Sequence, residues 1–333
     1  MASPVNLCFL ISKYDRSRRS GSIADWTSFG DVGRPFDGEV LTAAEYQRVE
    51  DLYISAVESL AGTVGADSFE LRDLVLNEPP PSWLGDAHEG RSVDRHTALR
   101  LLRRMLRHGL ISCTLESGDA LRVAVETDFY LSVELPPDAV HSLEEVKRLG
   151  LHVVPTACGE EELDEAGAPP RPADGEFWEE AAQDIRLSRG ATAVLERWAE
   201  GRCGYRWHPV LDGDLSDVVR SVRPHSVVTA YLDADVQWVF RHDLLSAVDA
   251  AMTAEQSPAV IFSRPVGGVV PEVLVCEGKA DLPAEAELPP GDELGFFLWP
   301  DDDSASLQAV VGPASAATTS DDETGGAPTD GAR

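Results

Sequence analysis

The chain has no Cys-x-x-Cys pair, and its five cysteines (Cys8, Cys113, Cys158, Cys203 and Cys276) are scattered over 333 residues. Such spacing offers no zinc knuckle, no redox pair and no disulfide framework, and it points to a reducing, cytoplasmic setting. Cys8 and Cys113 fall in strand-like apolar runs, where a buried inert thiol is expected. No apolar run approaches eighteen residues, so no membrane span is expected. Met1–Pro4 precede a short apolar stretch without a basic segment, so no secretory signal is expected either. Lysine is scarce: Lys13, Lys147 and Lys279 stand against twenty-five arginines.

Motifs are scarce as well. The chain has no P-loop, no dinucleotide-binding glycine fingerprint, no His-Glu-x-x-His and no Gly-x-Ser-x-Gly. His88, His96, His108, His141, His152, His208, His225 and His242 show no metal-ligand spacing. A triad assembled from distant residues stays open, because such groups meet in space.

What is present is acid. The net charge is −30, which argues against non-specific nucleic-acid binding. The charge is lopsided. Residues 1–110 carry 13 basic and 16 acidic side chains, whereas residues 111–333 carry 15 and 42. Unevenness of this size marks either parts that attract each other or a part reserved for a charged partner. With 43% hydrophobic residues the chain can still build real cores.

The pattern of elements predicts an α+β fold of two α/β-layer domains with mixed or antiparallel sheets. An N-terminal domain spans 1–158, an acidic linker 159–174, a second domain 175–313 and a disordered acidic tail 314–333. In the first, Thr42 and Glu45 form a capping box before apolar residues at helical spacing, Tyr46 to Leu60, with Gly62 as the stop. Strands are expected at Ser68–Leu76, Leu110–Leu115, Ala120–Glu126 and Phe129–Leu135. Ser142 is expected to cap a short helix that ends at Gly150. The second domain opens with two helices, Phe177–Leu187 and Thr192–Glu200. Strands follow at Ser226–Leu232, Val236–Phe240, Ala259–Ser263, Val270–Cys276, Gly295–Trp299 and Leu307–Val311, with a helix near Asp243–Met252 among them.

Several groups of residues invite chemistry. The loop after the first strand carries Lys13, Arg16, Arg18 and Arg19, whose cations suit a phosphate or carboxylate. The plainer reading is a solvated loop pairing with the chain's own acid. Trp26 crowds the same long loop with Tyr14, Phe29 and Phe36, either as an interface anchor or as an aromatic lid on the core. Gly204–His208 makes a weaker case of the same kind. On a helix near Asp94–His108, Arg100, Arg103, Arg104 and Arg107 form one basic face opposite Ala98, Leu101, Leu102 and Met105. That face suits nucleic acid or, more in keeping with the overall charge, an acidic surface such as the second half of the chain. Asp233 and Asp235 resemble a divalent-metal pair at a strand end, although a tight turn from Leu232 to Val236 also favours Asp. Asp212-Gly213-Asp214 with Asp217 lacks the ligand ladder of a calcium loop and reads as a helix cap, and Asp301–Asp303 as an exposed turn.

The leading expectation is a non-catalytic binding protein without cofactor whose acidic half engages a basic protein partner. Its most concrete form is an immunity- or antitoxin-like inhibitor of a basic nuclease toxin. The alternative is an enzyme acting on a phosphorylated or nucleotide substrate, with Lys13–Arg19 for phosphate and Asp233/Asp235 for Mg or Mn.

Overall fold

Apolar residues at every second position give the first half one large sheet with a single buried face. A computed structural model describes residues 6–14, 26–36, 38–158, 171–187, 191–210, 214–255, 257–264, 272–300 and 306–313. The first half contains β1 (Leu7–Ser12), a small hairpin of β2 (Pro35–Phe36) and β3 (Glu39–Val40), α1 (Ala43–Val64) and β4 (Ser68–Leu76). It continues with β5 (Ser92–Asp94), α2 (Arg95–His108), β6 (Ile111–Ser117), β7 (Leu121–Glu126), β8 (Tyr130–Leu135), α3 (Leu143–Arg148) and β9 (His152–Thr156). Seven strands form one antiparallel sheet in the order β5-β4-β6-β7-β8-β1-β9. Leu71, Leu115, Val123, Val133 and Ile11 point to one face, where Tyr53, Val57, Leu60 and Leu102 of the two long helices close the core. The opposite face carries Arg72, Thr114, Glu116, Arg122 and Glu134, paired across neighbouring strands.

Local chemistry sets the helix ends. Thr42 accepts the Glu45 amide at 3.1 Å, as a cap should, but the Glu45 carboxylate turns to Arg48 instead of closing the box. α1 runs past Gly62 and stops at Gly65, which supplies the left-handed conformation at φ 70°. Asp94 caps α2 by accepting the Thr97 amide at 2.7 Å, and Gly109 ends it at φ 61°. Ser142 does not cap α3; its hydroxyl donates back to the Ala139 carbonyl at 2.7 Å.

Cys8 is not a free thiol. It is disulfide-bonded to Cys158, joining β1 to the chain just beyond β9 across 150 residues. The expectation of no disulfide is therefore corrected, and with it the ground for a reducing compartment. Cysteine spacing in sequence could not reveal a pair made by strands adjacent only in the sheet.

The second half contains β10 (Arg171–Pro172), α4 (Gly175–Leu187), β11 (Ala191–Arg197), β12 (Tyr205–Val210), α5 (Ser216–Ser221), β13 (Val227–Ala234) and β14 (Gln237–Phe240). It ends with α6 (Arg241–Glu255), β15 (Ala259–Ser263), β16 (Val273–Cys276), β17 (Glu293–Leu298) and β18 (Ser306–Val310). Two sheets form, ordered β10-β18-β13-β11-β12 and β14-β17-β15-β16. Phe177, Ala181 and Ile185 of α4 pack on Val194, Val228 and Ala230 of the first. Its other face, through Ala193, Leu195 and Trp207, packs on Val260, Phe262 and Phe297 of the second. The far face of the second sheet takes Leu244, Val248 and Met252 of α6. The layers thus run helix, sheet, sheet, helix, and the whole is α+β.

This layering explains the error at Thr192–Glu200, expected as a helix and observed as β11 with the turn after it. Both faces of β11 are covered, so its apolar residues do not alternate with polar ones and the period of two is lost. Arg171 and Pro172, at the end of the expected linker, pair in parallel with β18. Residues 159–170 of the linker and the 314–333 tail lie outside the described residues.

The turn between β11 and β12 docks on the first half. Leu76 donates to the Glu200 carbonyl at 2.7 Å, Glu200 to Leu74 at 2.8 Å and Cys203 to Leu76 at 2.8 Å. The contact falls on an irregular stretch of β4 between Arg72 and Val75, where Asp73 adopts φ 52°. Ala199 completes the first half's core.

Candidate functional site

The helix carrying the arginine face forms as expected, but its cations meet the first half's own carboxylates rather than the acidic second half. Glu50 of α1 is fully buried, and Arg107 grips it through two bonds, Nε to Oε1 at 2.6 Å and Nη2 to Oε2 at 2.8 Å. Arg103 donates to the same carboxylate at 2.6 Å and to Asp51 at 2.7 Å. The hydrogen bond to Glu50 raises the Arg107 pKa further above its ordinary value. Arg104 pairs with Glu78, and Arg100 lies over the Trp83 ring at 4.3 Å. Glu50 was not singled out from sequence, yet a signal exists: it occupies the i+4 place between Tyr46 and Tyr53 on the apolar stripe of α1.

Lys13 and Trp26 are brought together. The ammonium sits 2.9 Å from the centroid of the Trp26 ring and donates to the Trp26 carbonyl at 2.8 Å. Trp26 itself is buried against Tyr46 and Phe129, with ring centroids 5.2 and 5.3 Å away. Arg16, Arg18 and Arg19 lie outside the described residues.

Asp233 and Asp235 do not close a hairpin. β13 runs through Ala234 in one sheet and β14 begins at Gln237 in the other, so these residues mark a crossing between sheets. Asp235 is exposed, and the Asp233 side chain is outside the description. Among the described residues no three His, Cys, Asp or Glu side chains gather as a metal site. Asp214 accepts the Ser216 amide at 2.8 Å at the start of α5, and the bonds from the Ser216 hydroxyl and then its amide hold the carboxyl below the ordinary value. Asp301–Asp303 lie outside the described residues.

The second half hides one charge network in its interior. Glu196 is fully buried and accepts from His208 Nε2 at 2.9 Å, Arg206 Nη2 at 2.7 Å and the Arg223 amide at 2.5 Å. Burial opposes its ionisation, but the bonds from His208, the Arg223 amide and Arg206 outweigh it, so the carboxyl is held below its ordinary value. Among the described residues, the Nδ1 of His208 and the indole N–H of Trp207 are buried without a hydrogen-bond partner. Gly204–His208 is thus largely the interior strand β12, with Trp207 1% exposed.

Carboxylates dominate the outside. The segment Glu277–Glu293 carries Glu277, Asp281, Glu285, Glu287, Asp292 and Glu293, all exposed, and a single cation, Lys279. Lys279 is drawn away to Asp249 of α6 at 2.6 Å. Glu277, Asp281, Glu285 and Asp292 make no ion pair among the described residues. Beside this segment runs a groove of about 530 Å³ between β12 and β16, lined by Tyr205, Trp207, Val273, Val275, Glu277 and Asp281. A larger cleft of about 700 Å³ opens where the halves meet, lined by Asp73, Glu89, Arg197, Glu200, His225 and Tyr231. Its carboxylates are engaged: Glu89 accepts the Asp73 and Leu74 amides, Thr114 donates to Asp73, and Glu200 pairs with Arg197.

No protein-family model, no curated protein and no solved structure matches this chain.

Proposed function

We propose that the protein is a non-catalytic binding module whose acidic second half engages a basic protein, in the manner of an immunity- or antitoxin-like inhibitor of a basic nuclease. One contrast carries this reading. The first half neutralises Arg103, Arg104 and Arg107 on its own Glu50, Asp51 and Glu78. The second leaves Glu277, Asp281, Glu285, Glu287 and Asp292 exposed without an ion pair among the described residues, while Glu293 pairs with Arg264 and the one lysine of the segment with Asp249.

Exposed like charges on one surface raise the encounter rate with an opposite charge and exclude partners of the same sign. A nuclease surface built for phosphates would find in these carboxylates a substitute of matching charge. The arginines that could have served nucleic acid are committed to ion pairs or, for Arg100, to an aromatic ring.

The test is affinity capture from the host with the immobilised full chain, followed by titration of the purified captured protein. The variant Glu277→Lys, Asp281→Lys, Glu285→Lys, Glu287→Lys is compared with one reversing Glu45, Glu58 and Glu70 of the first half. The reading expects a basic protein whose affinity collapses only in the first variant. Equal loss in both, or capture of no basic protein, contradicts it.

A further inference from the structure

The second half has two strands at sheet ends beside the acidic segment, and they differ in what they offer. β12 contains Pro209, which has no N–H and blunts an edge. β16, Val273-Leu274-Val275-Cys276, ends its sheet with no proline and no shift of register against β15. The Ser263 amide donates to the Glu272 carbonyl, which makes Ser263 and Glu272 a hydrogen-bonded pair. In an antiparallel ladder the bonded pairs alternate, so Leu274 and Cys276 also face β15, and the N–H and C=O of Val273 and Val275 point outward. No strand of the described residues covers them.

The charge around this edge says what suits it. Glu272, Glu277 and Asp281 stand exposed at its two ends. The nearby cations are engaged elsewhere: Arg202 donates to the Asn77 carbonyl, Arg206 to Glu196 and the Ser221 carbonyl, and Lys279 to Asp249. A second copy pairing antiparallel would set Val273 against Val275 and Glu272 against Cys276, so Glu272 of one copy and Glu277 of the other would crowd each end of one short ladder, which like charges oppose. An extended segment with lysine or arginine at alternate positions meets carboxylates at both ends and apolar Val273 and Val275 between them.

We propose that β16 is the docking strand of this protein: a basic, extended segment of the partner adds to its open edge and is held by Glu272, Glu277 and Asp281. Main-chain bonds to Val273 and Val275 supply affinity, and the carboxylates supply selection. The proposal rests on the reading of the protein as a binder of basic partners and adds the mode of contact.

The probe is a fluorescein-labelled peptide of about twelve residues alternating Lys and Val, with a Glu/Val peptide as control, titrated against the full chain. Hydrogen exchange is followed at Val273 and Val275. The key variant is Val275→Pro, which removes an outward N–H and no bond to β15; circular dichroism verifies its fold, and Val273→Pro is the second choice. The proposal expects saturable binding of the Lys/Val peptide only, slowed exchange at both amides, and affinity about tenfold weaker in the proline variant, the worth of one or two strand bonds. Binding lost on reversing Glu285 and Glu287 but unchanged in Val275→Pro, with no protection at β16, overturns the docking strand and leaves the acidic-module reading intact. Absence of binding at low salt, or self-association through β16 seen by sedimentation, overturns the proposal. If both proline variants unfold, exchange protection in the unaltered chain decides alone.

Discussion

Arg107 and Glu50, fifty-seven residues apart, form a two-bond ion pair whose carboxylate has no exposed surface. Removing one partner of such a pair strands a buried charge. Arg107→Ala is expected to destabilise the protein by about 3 kcal/mol, the low end of the range because Arg103 still reaches Glu50. Arg100→Ala, which loses only a ring contact with Trp83, is expected to cost less than about 1 kcal/mol. Urea unfolding of both variants measures the difference, and equal losses contradict this assignment of the basic face.

The Cys8–Cys158 bond closes a loop of 150 residues. Its reduction, or Cys158→Ser, is expected to lower stability by roughly 2–5 kcal/mol. The remaining thiols differ: burial pushes Cys113 up to about 12 and Cys276 up to about 11, while Cys203 is half-buried. A thiol reagent at neutral pH is therefore expected to label the native, oxidised chain at Cys203 alone. Urea unfolding with and without reductant reads the first claim, where an unchanged midpoint contradicts it, and peptide mapping of the labelled protein reads the second, where labelling of Cys8 contradicts the disulfide.

Glu196 has its carboxyl pKa lowered on folding, so it contributes stability above its unfolded range near 4.5 and loses that contribution as pH falls through the lower folded value. Glu196→Gln is expected to destabilise by about 2 kcal/mol or more at neutral pH and to flatten the acid limb of the stability curve. Thermal unfolding across the acid range tests this, and an unchanged acid limb contradicts it.

Gly201 holds the docked turn at φ 79°, and a Cβ there would stand 2.8 Å from the Leu76 carbonyl oxygen. Gly201→Ala is expected to cost more than about 1 kcal/mol, because both the backbone sign and the close approach demand glycine. Faster hydrogen exchange at Glu200 and Cys203, which bond to β4, would show that the turn has loosened.

Elements with local punctuation were legible in the sequence. Asp94 and Gly109 bracket α2, and the Ser68–Leu76 alternation is β4 residue for residue. β11 was not legible, because packing on both faces erases the signature of a strand. Gly62 and Gly65 compete for the end of α1, and only the second takes a positive φ. The excess acid was visible as a sum, but its placement on Glu277–Glu293 next to an open strand required the sheet order. The arginine stripe was visible too; its neutralisation by Glu50 and Glu78 depended on contacts between elements distant in sequence.

The most direct measurement is the dissociation constant of the captured basic protein for the chain with and without charge reversal at Glu277, Asp281, Glu285 and Glu287, taken between about 50 and about 300 mM salt. The account predicts that affinity weakens at least about tenfold on reversal and falls steeply with salt only for the unaltered chain. Affinity that is indifferent to both salt and reversal would contradict it.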